Sequence, residues 1–340
     1  MPGGILIRMT QRHYTTILTI LAMAMVIAII AGSGCLTSSP AVSPLDPGVS
    51  GSAVPGQPGQ EGKVQVITSF RPFTLLVGPI GGDHLSITQI LPPGADPHDY
   101  EPTPNDAVAL KNGRIFFYAG PFLEPWAADL AASSNPDIKL VTFADAISVP
   151  EYDQMKNRYP GFPDMTRDPH LWLSPQLTGY YVAHVARELS EIDPEHASDY
   201  QNNAVEFEKR LKQLDSDYTT GFSNCSTRTF LSSHSFLDYI AATYNLTQIP
   251  IATGPDAQPS IKQMAAIIEE AKAQNVRGIL VEPDEAEDLS KSISEELDIP
   301  VYSFTTMEVL PSGPSKEGDT DYVTIMEHNL QEMKKAMLCQ

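Results

Sequence analysis

From residue 63 onward, short apolar runs alternate with stretches of helical period. Residues 64–70 (Val-Gln-Val-Ile-Thr-Ser-Phe) have the character of a buried strand, and Pro72 opens a helix to residue 80 that Gly81, Gly82 and Asp83 stop. A second strand over 85–91, a capped helix over 103–111 and a strand over 114–120 follow. Next come a helix over 124–132, a strand over 139–143, a polar stretch with prolines over 145–168, and a helix over 175–191. The alternation resumes at a strand over 228–233, with helices at 236–244, 260–274, 286–297 and 322–337 separated by strands at 248–251, 278–281 and 300–304. Strand and helix alternating at this spacing predict parallel sheets covered by helices on both faces.

Between the two series lies the longest helical signal, over 193–222, with Asp193 as its expected N-cap and Pro194 at the first position. Tyr200, Ala204, Phe207, Leu211, Leu214 and Tyr218 recur at spacings of three and four, so they share one face. Glu206 with Arg210 and Glu208 with Lys212 are expected i,i+4 ion pairs in the favourable order. At 1.5 Å per residue such a helix is roughly 40 Å long. The expectation is two α/β lobes, 63–192 and 223–340, joined by this linker helix at 193–222.

The chain before residue 63 has another grammar. Residues 1–35 carry Arg8 and Arg12, then run apolar from about Ile17 to Ile30 and end in Ala-Gly-Ser-Gly-Cys35, a pattern of export with processing. Gly-Ser-Gly-Cys resembles a lipobox, which implies a lipidated Cys35 and attachment to the outer face of the cytoplasmic membrane. Gly32 stands where the lipobox usually has leucine. An uncleaved anchor is the competing view. Residues 36–62, mostly Pro, Gly, Ser and Val, have the composition of a flexible tether.

Composition narrows the partners. A net charge of −20 over 340 residues excludes nucleic acid as an expected partner, because such a surface repels phosphate backbones. Cys35, Cys225 and Cys339 match no thiolate zinc spacing, and export would permit a disulfide between the last two, which sequence leaves open.

Histidine placement carries the chemistry. His98 sits in Pro-Pro-Gly-Ala-Asp-Pro-His-Asp-Tyr-Glu-Pro-Thr-Pro, a backbone stiffened by prolines and turned by Gly94. Alone it reads as an incidental loop histidine. The same Asp-Pro-His order recurs at His170, and His234 follows an apolar run in Phe-Leu-Ser-Ser-His-Ser-Phe. Lying roughly 65–75 residues apart, these three can meet only through tertiary folding, and the ends of strands are where an α/β sheet collects a ligand. His13 falls in the export segment, His84 starts a strand, and His184, His196 and His328 fall on helical surfaces where they are expected to be solvated.

With these motifs in view, the chain resembles the cluster A solute-binding lipoproteins of ATP-driven zinc and manganese importers. Gly94-Ala-Asp-Pro-His98, Asp168-Pro-His170-Leu-Trp and Phe230-Leu-Ser-Ser-His234 carry the likeness, with Tyr118-Ala-Gly120, Glu124-Pro-Trp126 and Val281-Glu282-Pro283 as further landmarks. The resemblance implies a metal held in a cleft between two lobes linked by one rigid helix, and a monomer that delivers its ion to an ABC permease. It implies His98, His170 and His234 as metal ligands. The family's fourth ligand is usually an aspartate, where this chain offers Glu308, with Glu282 or water as alternatives. Three imidazoles and one oxygen suit Zn(II), with Mn(II) second because it prefers more carboxylate. The family's histidine-rich accessory loop is absent from 145–168. Two other classes compete, an exported zinc hydrolase and a surface adhesin. No H-E-x-x-H motif or spaced general base supports the hydrolase, so a non-enzymatic carrier is expected.

Overall fold

The structure, a computed structural model, describes residues 62–159, 161–164, 168–252, 254, 257–282, 287–309 and 321–340. The expected export segment, Cys35 and the tether as far as residue 61 lie outside the described residues. Among the described residues no helix is long and apolar enough to cross a membrane.

Strands β1 (Val64–Thr68), β2 (Leu85–Gln89), β3 (Ile115–Tyr118) and β4 (Lys139–Thr142) form a parallel sheet in the order β2-β1-β3-β4. Strands β5 (Thr229–Ser232), β6 (Thr247–Pro250), β7 (Ile279–Val281) and β8 (Val301–Ser303) form a second in the order β6-β5-β7-β8, also parallel. The second half therefore repeats the strand arrangement of the first. β3 and β5 are buried along their whole length, as strands covered on both faces must be.

The helices are α1 (Arg71–Gly81), α2 (Pro104–Asn112), α3 (Ala127–Ser134), α4 (Val149–Arg158), α5 (Pro175–Ile192), α6 (Ala197–Gly221), α7 (Asp238–Thr243), α8 (Ile261–Ala273), α9 (Glu287–Leu297) and α10 (Tyr322–Ala336). α4 falls in the polar stretch with prolines at 145–168, where the sequence reading assigns no element. Its signal is a capping box, in which the Ser148 hydroxyl accepts the Glu151 N–H and the Glu151 carboxylate accepts the Ser148 N–H, with Pro150 in the first turn.

The linker begins later than expected. Pro194–His196 make a 3-10 turn and α6 starts at Ala197, because the Asp193 carboxylate is engaged by the Tyr200 hydroxyl (2.5 Å) and His196 Nδ1 (2.7 Å) rather than by the first helical N–H groups. All six apolar residues of the expected stripe are buried. They pack against α1 and α5 on one side and α10 on the other. The Glu208–Lys212 pair forms at 3.0 Å, but Glu206 pairs with Lys209 instead, and Arg210 reaches Asp321 at the start of α10 (2.7 Å). The Tyr218 hydroxyl donates to the Met326 carbonyl at 2.8 Å, and Asn203 donates to the Ile80 carbonyl at 2.9 Å, so α6 is bonded to both halves.

One hydrophobic core runs from Val66 and Phe73 through the α6 stripe to Phe236, Phe304 and Tyr322, and a smaller one under α8 and α9 holds Leu231, Ile249 and Ile293. A Cys225–Cys339 disulfide ties the end of α6 to the end of the chain across 114 residues. His184 departs from expectation. It is only 6% exposed, with Nδ1 against Arg187 and Nε2 at 3.7 Å from Glu188, and burial lowers its pKa. His84 and His196 stack at 3.9 Å, each paired to its own aspartate.

Candidate metal centre

His98, His234 and Glu308 sit on the loops beyond β2, β5 and β8, and His170 on the segment between α4 and α5, just before a 3-10 turn at Leu171–Leu173. The His98 loop follows β2, fixed at its start by the Leu91 N–H on the Ser69 carbonyl (2.8 Å). Gly94 there has φ of +84°, a conformation open to glycine without strain. At its far end Asp106 Oδ2 accepts three bonds, from the Tyr100 hydroxyl (2.8 Å), the Thr103 N–H (2.6 Å) and the Thr103 hydroxyl (2.9 Å).

The two Asp-Pro-His sequences fold alike. Asp96 Oδ1 accepts the His98 N–H at 2.8 Å, and Asp168 Oδ1 accepts the His170 N–H at 3.0 Å. These are local turns of the kind aspartate makes with the backbone two residues on, with proline fixing the residue between. In the second copy Asp168 Oδ1 also lies 2.8 Å from His170 Nδ1, which turns Nε2 toward the site. His234 follows β5, its carbonyl accepting the Ser232 hydroxyl at 2.7 Å, and its ring lies 4.9 Å from that of Phe236.

Glu308 lies beyond β8 on a loop held from several directions. The Asn329 amide bonds both the N–H (2.9 Å) and the carbonyl (2.8 Å) of Thr305, and Trp172 Nε1–H donates to the Thr306 carbonyl at 2.9 Å. The Thr306 hydroxyl donates to Glu282 Oε1 and accepts the Glu308 N–H at 3.3 Å.

These loops bring the four residues together. The imidazole centroids are 5.5–6.0 Å apart, and one nitrogen from each of His98, His170 and His234 lies within 4.8 Å of the others. Glu308 Oε2 stands 3.3 Å from His98 Nε2, and Oε1 stands 3.4 Å from His170 Nε2. Donors about 2.0–2.1 Å from one tetrahedral ion are about 3.4 Å apart, so both carboxylate contacts have the right span. Asp96, His98 and Glu308 also offer atoms within 4.8 Å of one another. Glu282 Oε2 stands 3.7 Å from His234 Nδ1.

The site is enclosed. His170, His234 and Glu308 are at most 6% exposed. Burial acts to raise the Glu308 pKa, but the His98 hydrogen bond and the three imidazoles hold it below the ordinary carboxylate value. Buried His170 Nε2 and Glu308 Oε1 make no hydrogen bond, a cost that a cation between them removes. Asp96 and Asp238 are raised by burial. A groove of about 700 Å³ between α4, α5 and α6 contains none of these ligands.

The sequence motifs expose the histidines but leave the supports unassigned. Asp168 carries a signal, since the same aspartate stands two residues before the histidine in both copies. Thr306 and Asn329 act across the fold and carry none, and Trp172, although inside the Asp168-Pro-His170-Leu-Trp motif, shows its role only through a partner distant in the chain.

Two α/β halves with a buried three-histidine, one-carboxylate cluster define a two-lobed protein with a candidate metal centre. The comparisons agree and go further. Residues 66–336 match the family model of the zinc-uptake complex component A, periplasmic, and the chain belongs to that family. It is 30% identical over 293 residues to the zinc-binding protein AdcA of Streptococcus pyogenes serotype M6, covering 81% of this chain but 56% of that protein. It thus spans little more than half the length of that relative. It is 27% identical over 282 residues to the high-affinity zinc uptake system protein ZnuA of Bacillus subtilis, covering 81% of this chain and 88% of that one. The Zn(II)-bound ZnuA-like domain of Streptococcus pneumoniae AdcA superposes with a TM-score of 0.68 at 26% identity, over 81% of this chain and 99% of that one.

Proposed function

We propose that this protein captures Zn(II) outside the cytoplasm with His98, His170, His234 and Glu308 and hands it to an ABC-type permease. The observation that carries the reading is the convergence of three imidazole nitrogens within 4.8 Å, with the Glu308 carboxylate spanning two of them. Three neutral nitrogens and one carboxylate favour Zn(II) over Mn(II). The ion exchanges its water for the four donors, Asp168 holding His170 in the orientation that offers Nε2. A carrier fits better than a hydrolase, because the position where a hydrolase keeps an activated water faces the Glu308 carboxylate.

In this reading residues 1–35 direct export, Cys35 is lipidated and holds the protein at the outer face of the cytoplasmic membrane, and 36–62 form the tether. The lobes at 63–192 and 223–340 bind one ion as a monomer across the helix at 193–222. The test is elemental analysis of protein purified without chelators, followed by competition titration of the parent and His170→Ala. Zinc in the parent and a loss of more than about 100-fold in affinity in the variant are expected. A variant that binds zinc as tightly as the parent refutes the site.

A further inference from the structure

Trp172 lies two residues after His170 and is fully buried, its ring set edge-on to Phe70 (5.4 Å) and Phe73 (6.2 Å) in the core of the first half. Its indole N–H points to the second half, and its carbonyl is shared between the halves, accepting the Thr178 hydroxyl of α5 at 3.2 Å. The indole N–H donates to the Thr306 carbonyl at 2.9 Å, two residues before Glu308, and its own carbonyl accepts the Tyr322 hydroxyl at 2.6 Å. A third tie lies beside it, where the Tyr239 hydroxyl donates to the Asp168 carbonyl at 2.8 Å. The segment bearing His170 is thus bonded directly to the loop bearing Glu308.

We propose that Trp172 is a positioning residue for metal binding, its indole N–H holding the Glu308 loop at the reach of the His170 imidazole and so slowing release of the ion. The proposal rests on the zinc-site reading above. Met307, between the bonded Thr306 and Glu308, has φ of +70°, so the loop adopts a backbone that a methionine does not favour unaided and that needs external anchors. Asn329 and Glu282 anchor the loop from within the second half, and Trp172 fixes it relative to the first. Without the indole bond the loop gains freedom in the empty protein, and the ion must order it again on binding.

The test is a double-mutant cycle on the full chain, with zinc as the probe and release followed by capture with a chromophoric chelator. Trp172→Phe keeps an aromatic ring, deletes the N–H and leaves the buried Thr306 carbonyl unpaired, so release should be about tenfold faster. In a Glu308→Ala background the same change should add nothing, because its effect passes through Glu308. A merely structural role would speed release by the same factor in both backgrounds, and that result overturns the proposal. Tyr322→Phe, which leaves the indole in place and removes the shorter of the two hydroxyl contacts on the Trp172 carbonyl, Thr178 keeping the other, should speed release about threefold with the same cancellation, and an equal effect in both backgrounds overturns the proposal through this variant too. Glu308→Ala releasing zinc at the parent rate would overturn the reading of the site as well. Parent-like release from Trp172→Phe beside fast release from Glu308→Ala would remove only the role of Trp172.

Discussion

Glu124 makes the pH dependence of stability calculable. It lies between β3 and α3, is 1% exposed, and its Oε2 accepts the Ala119 N–H at 2.6 Å. Burial is the largest influence and raises its pKa. Ser69, Ala119 and Gly120 draw it back, the negative charge of Glu308 raises it further, and the result is about 7 against an ordinary 4.5. An unfolded chain releases this proton near pH 4.5, whereas the folded protein keeps it until about pH 7. The folded state binds more protons across that window, so stability is undiminished below it, falls as pH rises through it and levels off above about pH 7. At about 1.4 kcal/mol per pH unit the loss is about 3 kcal/mol. Glu124→Gln retains an acceptor for the Ala119 N–H and has no proton to release. Urea unfolding of metal-free parent and variant across this range should therefore show the variant gaining about 3 kcal/mol relative to the parent between the two limits. A difference that stays constant with pH would mean that Glu124 is ionised throughout, and the reasoning would fail.

Two further outcomes follow from the supports and the covalent tie. Asp168→Asn removes the charge that orients His170 and should weaken zinc binding about 10–100-fold in a chelator competition, with unchanged affinity counting against the role of Asp168. Replacing Cys225 and Cys339 with serine opens a 114-residue loop and should lower the unfolding free energy by about 2–4 kcal/mol. Zinc affinity should persist in that variant, because the bridge lies at the amino edge of the second sheet and the ligands at its carboxyl edge. A large loss of affinity would contradict this placement.

Much of this architecture is legible in the sequence because its determinants are local or periodic. The apolar runs of β1, β3 and β5 and the α6 stripe from Tyr200 to Tyr218 state their own burial. The Asp-Pro-His repeats encode their turns within three residues. What stays hidden depends on residues distant in the chain. Arg210 leaves the near Glu206 for Asp321 because α10 packs beside α6, and no spacing rule contains that choice. His184 looks like a surface histidine until the fold buries it, with Lys139 of β4 and Asp145 beyond that strand among the charges around it. Glu308 has no local motif at all. Its orientation is set by Trp172 and Asn329, which lie 136 and 21 positions away in the chain. α4 is a different omission, since its capping box at Ser148 and Glu151 is local and is outweighed only by the polar composition around it.

The continuity of the larger core through α6 decides what kinds of movement the molecule can make. Phe207 lies 6.3 Å from Tyr322, and Tyr218 reaches Met326, so swinging the halves apart would wet aromatic side chains that each bury about 150–250 Å². At roughly 25 cal/mol per Å² that is about 4–6 kcal/mol for each ring, more than a loop rearrangement demands. α6 therefore serves as a keyed axle rather than a pivot. Under the proposed function, any movement that admits an ion is expected in the short segments around His98 and Glu308, with the bulk of the molecule keeping its shape.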